Sequence, residues 1–294
     1  MIIVKLTGGL GNQMFQYAAG RSLAEKHGAD LKLDISNFQY VKNRNYKLHL
    51  FNINESFSTK EDVFDLVGSR AQFAIDKVFR TNFFIRAIRQ KENYYRQRLF
   101  HYDEDFFNLP DNSYLEGYWQ CEKYFQSIEE QLRKAFKFNS KLGVENEKLA
   151  DKIRETVSVS IHVRRSDYFF NSKLHQVHGI LRSDYYNKAI NLIAEKYSDL
   201  ELFVFSDDME WVKEFMHFDY PTTYVENNTE DQIAHQDMEL MSYCDHNIIA
   251  NSSFSWWSAW LNTNPQKMVV APNKWFKTTR LDTKDVIPES WIRI

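Results

Sequence analysis

Four clusters in this 294-residue chain combine residue types that could do chemistry: Gly8-Gly9-Leu10-Gly11-Asn12-Gln13, His162-Val163-Arg164-Arg165-Ser166-Asp167, Ser206-Asp207-Asp208 and Asn251-Ser252-Ser253-Phe254-Ser255. Adjacent arginines present planar forks that match phosphate oxygens. Ser252, Ser253 and Ser255 open an apolar run. A helix starting there would aim unpaired N–H groups and its positive dipole end at an anion. Together these groups can cradle a diphosphate without a metal. The plainer reading pairs Arg164 or Arg165 with Asp167 on the surface, where such pairs are weak. The serine cluster favours the diphosphate.

These residues need a scaffold, and the surrounding pattern predicts one. Strands at 157–163, 201–206, "TTYVE", 246–251 and "KMVVAP" alternate with helical segments at 183–198, near 209–217, and over "EDQIAHQDMELMSYC" and "FSWWSAWLN". That alternation predicts a doubly wound parallel sheet. His162 to Asp167, Asp208 and Ser252 to Phe254 then fall at the carboxyl ends of three strands, on the edge where open α/β sheets bind ligands. The N-terminus reads as strand 2–6, glycine turn 8–11 and helix 12–27 closed by Gly28, then the strand "ADLKLDI", again a β-α-β unit. Residues 55–135 read as helical and aromatic. The polar stretch 137–152 predicts a domain boundary, giving domains 1–145 and 146–294.

Composition narrows the function classes. A net charge of −3 argues against a nucleic-acid-coating surface and confines any anion site to a local cluster. Two cysteines are too few for a disulfide framework, and a reducing cytoplasm fits best. The N-terminus lacks a charged leader region, and no run of 18 apolar residues occurs, so neither signal peptide nor membrane span is expected. Residues 79–100 carry six Arg or Lys against one Glu among many aromatics. A solvated helix face explains this most simply, and peripheral contact with the anionic inner face of a membrane is the alternative.

Other features have rival readings. "GGLGNQ" with Asp34 downstream suggests a dinucleotide-binding turn, but Met14 stands where the third glycine belongs. An oxidoreductase therefore rests on little, and Asn12 and Gln13 suit substrate contact beside Gly11. "DED" at 103–105 matches the D-x-D of metal-dependent transferases but reads as a surface turn. Trp256 and Trp260 sit four apart on a helix, so core packing outweighs sugar stacking.

"GGLGNQMFQYA", "GYWQCEKYF", "HVRRSDY", "FSDD" and "IIANSSFSWWSAWL", in this order over residues 7–262, resemble the motifs of bacterial α-1,2-fucosyltransferases of glycosyltransferase family 11. The resemblance implies a GT-B-like fold of two Rossmann-type domains, with the donor cleft at the carboxyl ends of the C-terminal sheet. It implies inverting, metal-independent transfer of fucose from GDP-L-fucose, with no cofactor, to the 2-hydroxyl of a galactose-terminated oligosaccharide. By the same resemblance Arg164 grips the β-phosphate and His162 contacts guanine. Asp237, sixteen residues before Ser253, reads the guanine. Ser253 binds phosphate and Asn12 lines the active site. Arg165, Asp167, Asp208, Ser252 and Phe254 complete the expected donor side, with Gly11 and Gln13 beside Asn12. No general base for the acceptor hydroxyl is identified. Asp34, Asp103, Asp105 and Glu122 lie in the half expected to face the acceptor, and each reads as a solvated surface acid. Oligomeric state is left open. The rivals are another linkage or acceptor with the same donor, and a nucleotide-sugar-binding protein without turnover.

Overall fold

The computed structural model describes residues 1–41, 44–67, 93–165, 179–228, 233–278 and 281–294. The chain divides into two compact units, Met1–Asn139 and Ser140–Ile294.

The first unit is built on strands β1 (Ile2–Lys5), β2 (Leu31–Asp34), β3 (Tyr94–Arg96) and β4 (Tyr114–Glu116), in the parallel order β2-β1-β4-β3. Helix α1 (Leu10–His27) returns the chain from β1 to β2 and ends at Gly28 in the left-handed conformation. Its Met14, Phe15, Ala18, Ala19 and Leu23 are fully buried, so packing rather than isolated propensity holds it. Helices α2 (Lys60–Val67) and α3 (Glu129–Ala135) complete the unit.

The expected helical reading of 55–135 does not hold for 93–128. That stretch contains β3, β4 and three short 3₁₀ turns. Its aromatics do not line a helix; Phe106, Trp119 and Tyr124 close on one another with ring centroids 4.8–5.5 Å apart. Strands of three residues are too short to show a period of two. The residues 68–92, with most of the basic-aromatic stretch, lie outside the described residues.

The second unit contains helices α4 (Val144–Glu155), α5 (Ser183–Ala194), α6 (Met209–Phe215), α7 (His235–Tyr243) and α8 (Ser253–Leu261). Its strands are β5 (Val157–Val163), β6 (Leu200–Ser206), β7 (Thr222–Val225), β8 (His246–Ile248), β9 (Val269–Ala271) and β10 (Ile292–Arg293). All six are parallel, in the order β7-β6-β5-β8-β9-β10. Renumbered within the unit this is 3-2-1-4-5-6, the Rossmann order, whose switch point lies between β5 and β8. The polar segment 137–152 is not a bare linker: much of it forms α4, which buries Asn146, Ala150 and Ile153 at helical spacing.

Strand β5 sorts its side chains by alternation. Val159, Ile161 and Val163 join an apolar core with Ile190, Leu202 and Val204, while Ser158, Ser160 and His162 face the other way and are also buried. The two serines are hydrogen-bonded. Asp245 Oδ2 accepts from Ser158 N at 3.0 Å, and Asn247 Nδ2 donates to Ser160 Oγ at 2.8 Å. Asn262 Nδ2 in turn donates to Asn247 Oδ1 at 2.8 Å. A satisfied polar network of this kind fastens β5 to β8 at the switch point.

Candidate functional site

The carboxyl edge of the second unit's sheet gathers most of the predicted residues. Strand β5 delivers His162 and then Arg164 and Arg165; β6 delivers Asp207 and Asp208; β8 leads through Asn251 to α8. Tyr185 on α5 braces this edge. Its hydroxyl lies 2.7 Å from the Ile249 carbonyl oxygen and 3.1 Å from that of Val270.

The two arginines have different surroundings. Asp207 Oδ1 accepts from the Arg165 backbone N–H at 2.8 Å, and its Oδ2 lies 3.3 Å from the Arg164 guanidinium. Arg165 pairs with Asp208 and its guanidinium lies 4.6 Å over the Trp211 ring. The Arg164 side chain is 26% exposed against 13% for Arg165. Asp208 also caps α6, its Oδ1 accepting from Trp211 N at 3.4 Å. Both oxygens of Asp208 thus take part in bracing the scaffold. Asp207, which the sequence analysis placed in the "SDD" cluster without a role of its own, holds both arginines.

Helix α8 starts as the serine pattern predicts. Ser252 is its N-cap, with Oγ accepting from Phe254 N at 3.3 Å. One side-chain cap leaves further first-turn N–H groups directed at the switch point. Ser253 and Phe254 are half-exposed there, and the Phe254 ring lies 5.8 Å from the His162 imidazole. His162 is buried, and its Nδ1 has no hydrogen-bond partner among the described residues. Burial, aided by the Arg164 charge and opposed by Asp207, pushes its pKa down to about 4, so the ring is neutral at physiological pH.

Asp237 lies in the first turn of α7. Burial pushes its carboxyl up to about 7, although Asn228 Nδ2 donates to Oδ1 at 2.7 Å and works against the rise. Asn228 Oδ1 accepts from Asn146 Nδ2 of α4 at 2.7 Å, and Asn146 also donates to Gln236. These asparagines were not singled out from sequence, because nothing in their spacing links residues 82 positions apart. Asp167 lies outside the described residues.

Trp256 and Trp257 are fully buried and Trp260 nearly so. Trp256 Nε1 donates to the Val286 carbonyl at 2.8 Å. The core reading therefore holds for these rings.

In the first unit, the glycine turn after β1 carries Asn12 on the first turn of α1. Asn12 Oδ1 accepts from Gln120 Nε2 at 2.8 Å. Gln13 is fully buried. Its Nε2 donates to the carbonyls of Gly8 and Asn45, at 3.0 and 2.9 Å, and its Oε1 accepts from Lys47 N at 2.9 Å. With its amide committed to backbone partners, Gln13 fixes the turn. Gly11 is buried beneath it. Asp34, read as a solvated acid, is instead buried and accepts from Tyr114 OH at 2.6 Å and Ser36 N at 2.9 Å. Asp103 caps a 3₁₀ turn and accepts from Asp105 N at 3.0 Å, as a surface turn requires. Among the described residues no helix is long and apolar enough to cross a membrane.

Comparison with known proteins extends this picture. The family model described as "Glycosyl transferase family 11" matches residues 1–294. An alpha-1,2-colitosyltransferase of Escherichia coli is 34% identical, the alignment covering 100% of this chain and 99% of that protein. The O-antigen biosynthesis glycosyltransferase WbnK of Escherichia coli is 35% identical over 98% of this chain and 99% of its own length. Among solved structures, NodZ alpha-1,6-fucosyltransferase soaked with GDP-fucose superposes with a TM-score of 0.51 at 18% identity, covering 88% of this chain and 91% of that one. The likeness in structure establishes the GT-B fold.

Proposed function

The chain belongs to glycosyltransferase family 11, and we propose that it transfers L-fucose from GDP-L-fucose, with inversion and without a metal, to the 2-hydroxyl of a terminal galactose on a glycan. The observation that carries this reading is the pairing of Arg164 at the end of β5 with the N-terminus of α8 after β8, on either side of the switch point. A diphosphate seated there meets a fixed cation on one side and oriented N–H groups on the other.

In the reaction, the galactose oxygen attacks the anomeric carbon as the bond from that carbon to the β-phosphate oxygen breaks. The hydroxyl proton passes to a base, and negative charge grows on the leaving diphosphate. Arg164, Ser252, Ser253 and the α8 dipole stabilise that charge, which removes the need for a divalent cation. Neutral His162 and the Phe254 ring beside it offer a flat, weakly polar wall for a purine. The Asp237 carboxylate, once ionised, accepts from the N1 and N2 donors of guanine together, a recognition that selects GDP over ADP or UDP. Arg165 holds Arg164's backbone in place, and the second unit is the donor-binding domain. Asn12 is the residue of the glycine turn that we assign to the transfer.

A second reading has its own support. The similarity to an alpha-1,2-colitosyltransferase favours colitose, L-fucose without its 3-hydroxyl, as the transferred sugar. Purified protein offered equal GDP-fucose and GDP-colitose with lactose separates the two by product mass. A predominantly fucosyl product supports the first reading, and a predominantly colitosyl product moves the assignment to the second.

A further inference from the structure

Two unusual backbone features in the first unit converge on Asn12. Gly8 has φ +80°, and a Cβ there would lie 2.6 Å from Asn12 Nδ2. The amide nitrogen of Asn12 therefore lies directly over the glycine. Trp119, fully buried, has φ +54°, a conformation bulky side chains rarely adopt. Several contacts impose it. Gln97 Oε1 accepts from both Tyr118 N and Trp119 N, at 2.8 and 3.1 Å. Cys121 N donates to the Trp119 carbonyl at 2.8 Å. Gly117 before it has no room for a side chain, since a Cβ would meet Gln97 Cβ at 2.6 Å.

The strained turn has a visible product. It carries the buried Gln120 against α1, where Gln120 Nε2 donates to Asn12 Oδ1 at 2.8 Å. Gln16 ties the same two segments, accepting from Thr7 N at 2.9 Å and donating to the Gly117 carbonyl at 3.0 Å. With Gln120 donating to its oxygen, the Asn12 carboxamide is held with its Nδ2 donors on the side of Gly8, at the half-exposed turn. Backbone strain that persists under such restraint marks functional positions.

We propose that Gln120 is a positioning residue that sets the polarity of the Asn12 carboxamide, so that Asn12 meets the sugars as a hydrogen-bond donor to an oxygen lone pair. This rests on the reading above that Asn12 takes part in transfer. It assigns Asn12 to orienting or charge-stabilising work as a hydrogen-bond donor.

The test compares Gln120→Glu, Gln120→Met and Asn12→Ala in the full chain, with lactose and whichever of GDP-fucose and GDP-colitose is turned over. Gln120→Glu keeps the side chain's size but can only accept, so Asn12 must turn its nitrogen inward. The expected loss in kcat is ~10²-fold, as for one misdirected transition-state donor, with donor KM and thermal midpoint held. Gln120→Met leaves Asn12 free to rotate and loses less. The double variant Asn12→Ala/Gln120→Glu is no slower than Asn12→Ala alone. In the free protein, the ¹⁵N-resolved side-chain amide pair of Asn12 shifts in Gln120→Glu. An unshifted pair, or wild-type kcat in Gln120→Glu while Asn12→Ala is impaired, overturns the positioning role. Equal losses in the Glu and Met variants that track the thermal midpoint overturn it too. Wild-type kcat in Asn12→Ala instead removes Asn12 from the transfer, and the reading it rests on fails first.

Discussion

The guanidinium of Arg165 lies 4.6 Å over the ring of Trp211. That stacking, with the Asp208 pair, separates the work of two arginines that are neighbours in the chain. Arg165 braces the end of β5 against α6, and Arg164 is the more exposed cation at the switch point.

Replacing Arg164 with alanine is expected to lower kcat ~10²–10³-fold, the cost of one preorganised donor at a developing anion. Its thermal midpoint stays near wild type. Arg165→Ala is expected to show the reverse emphasis. It strips a cation–π contact and the ion pair to Asp208 Oδ2, costing about 2 kcal/mol of stability. Urea unfolding and steady-state kinetics on both variants check the division.

The two glycines of the first turn are not equivalent. Gly8→Ala forces a side chain into φ +80° and onto Asn12, so both stability and kcat fall, stability by about 1–3 kcal/mol. Gly9 has φ −79°, and a Cβ there meets nothing within 4 Å. Gly9→Ala should keep the stability of the wild type, as read by thermal melts of the two variants side by side.

GDP binding should tighten as pH rises. The Asp237 carboxyl, pushed up to about 7, must ionise to accept from guanine, so below that value affinity rises about tenfold per pH unit and a proton is released on binding. Above it the affinity levels off. Titration calorimetry in buffers of different ionisation enthalpy reads both effects. Asn228→Ala removes the hydrogen bond that favours the ionised form and should move the midpoint to higher pH; Asp237→Asn should weaken binding and flatten the profile.

Stability of the unliganded protein should carry opposing slopes from two groups. Asp237 holds its proton more tightly folded than unfolded, so its contribution is present below about pH 4 and is lost as pH rises through about 7. His162 is depressed from 6.5 to about 4, so its contribution is present above 6.5 and is lost as pH falls through about 4. Urea midpoints at about pH 4.5 and about pH 6.5 should therefore rise with pH more steeply in Asp237→Asn than in wild type, and less steeply in His162→Asn.

Much of the second unit was legible in the sequence. The strand Val157–Val163 and the Ser252 cap both stand where the pattern places them. The strands there are long or apolar enough to declare themselves, and the caps obey local chemistry. What was hidden depends on partners distant in sequence. Asn146 and Asn228 meet only through the fold, as do Gln120 and Asn12. The burial of Asp34 depends on Tyr114, 80 positions away, so a local reading saw only an acid at the end of a short strand. Strands β3 and β4 have three residues each, below the length at which alternation carries information. In the glycine turn Asn12 is half-exposed, whereas Gln13 has turned inward to hold the loop through Lys47, a difference that adjacent polar residues in a sequence do not reveal.

The most direct test of the central claim incubates the purified protein with GDP-L-fucose and lactose in excess chelator and reads the product by NMR. The account predicts an α-linked fucose on the galactose 2-hydroxyl, formed at the same rate with and without chelator. A fucosyl product linked elsewhere, or turnover abolished by chelation and restored by a divalent cation, would contradict it.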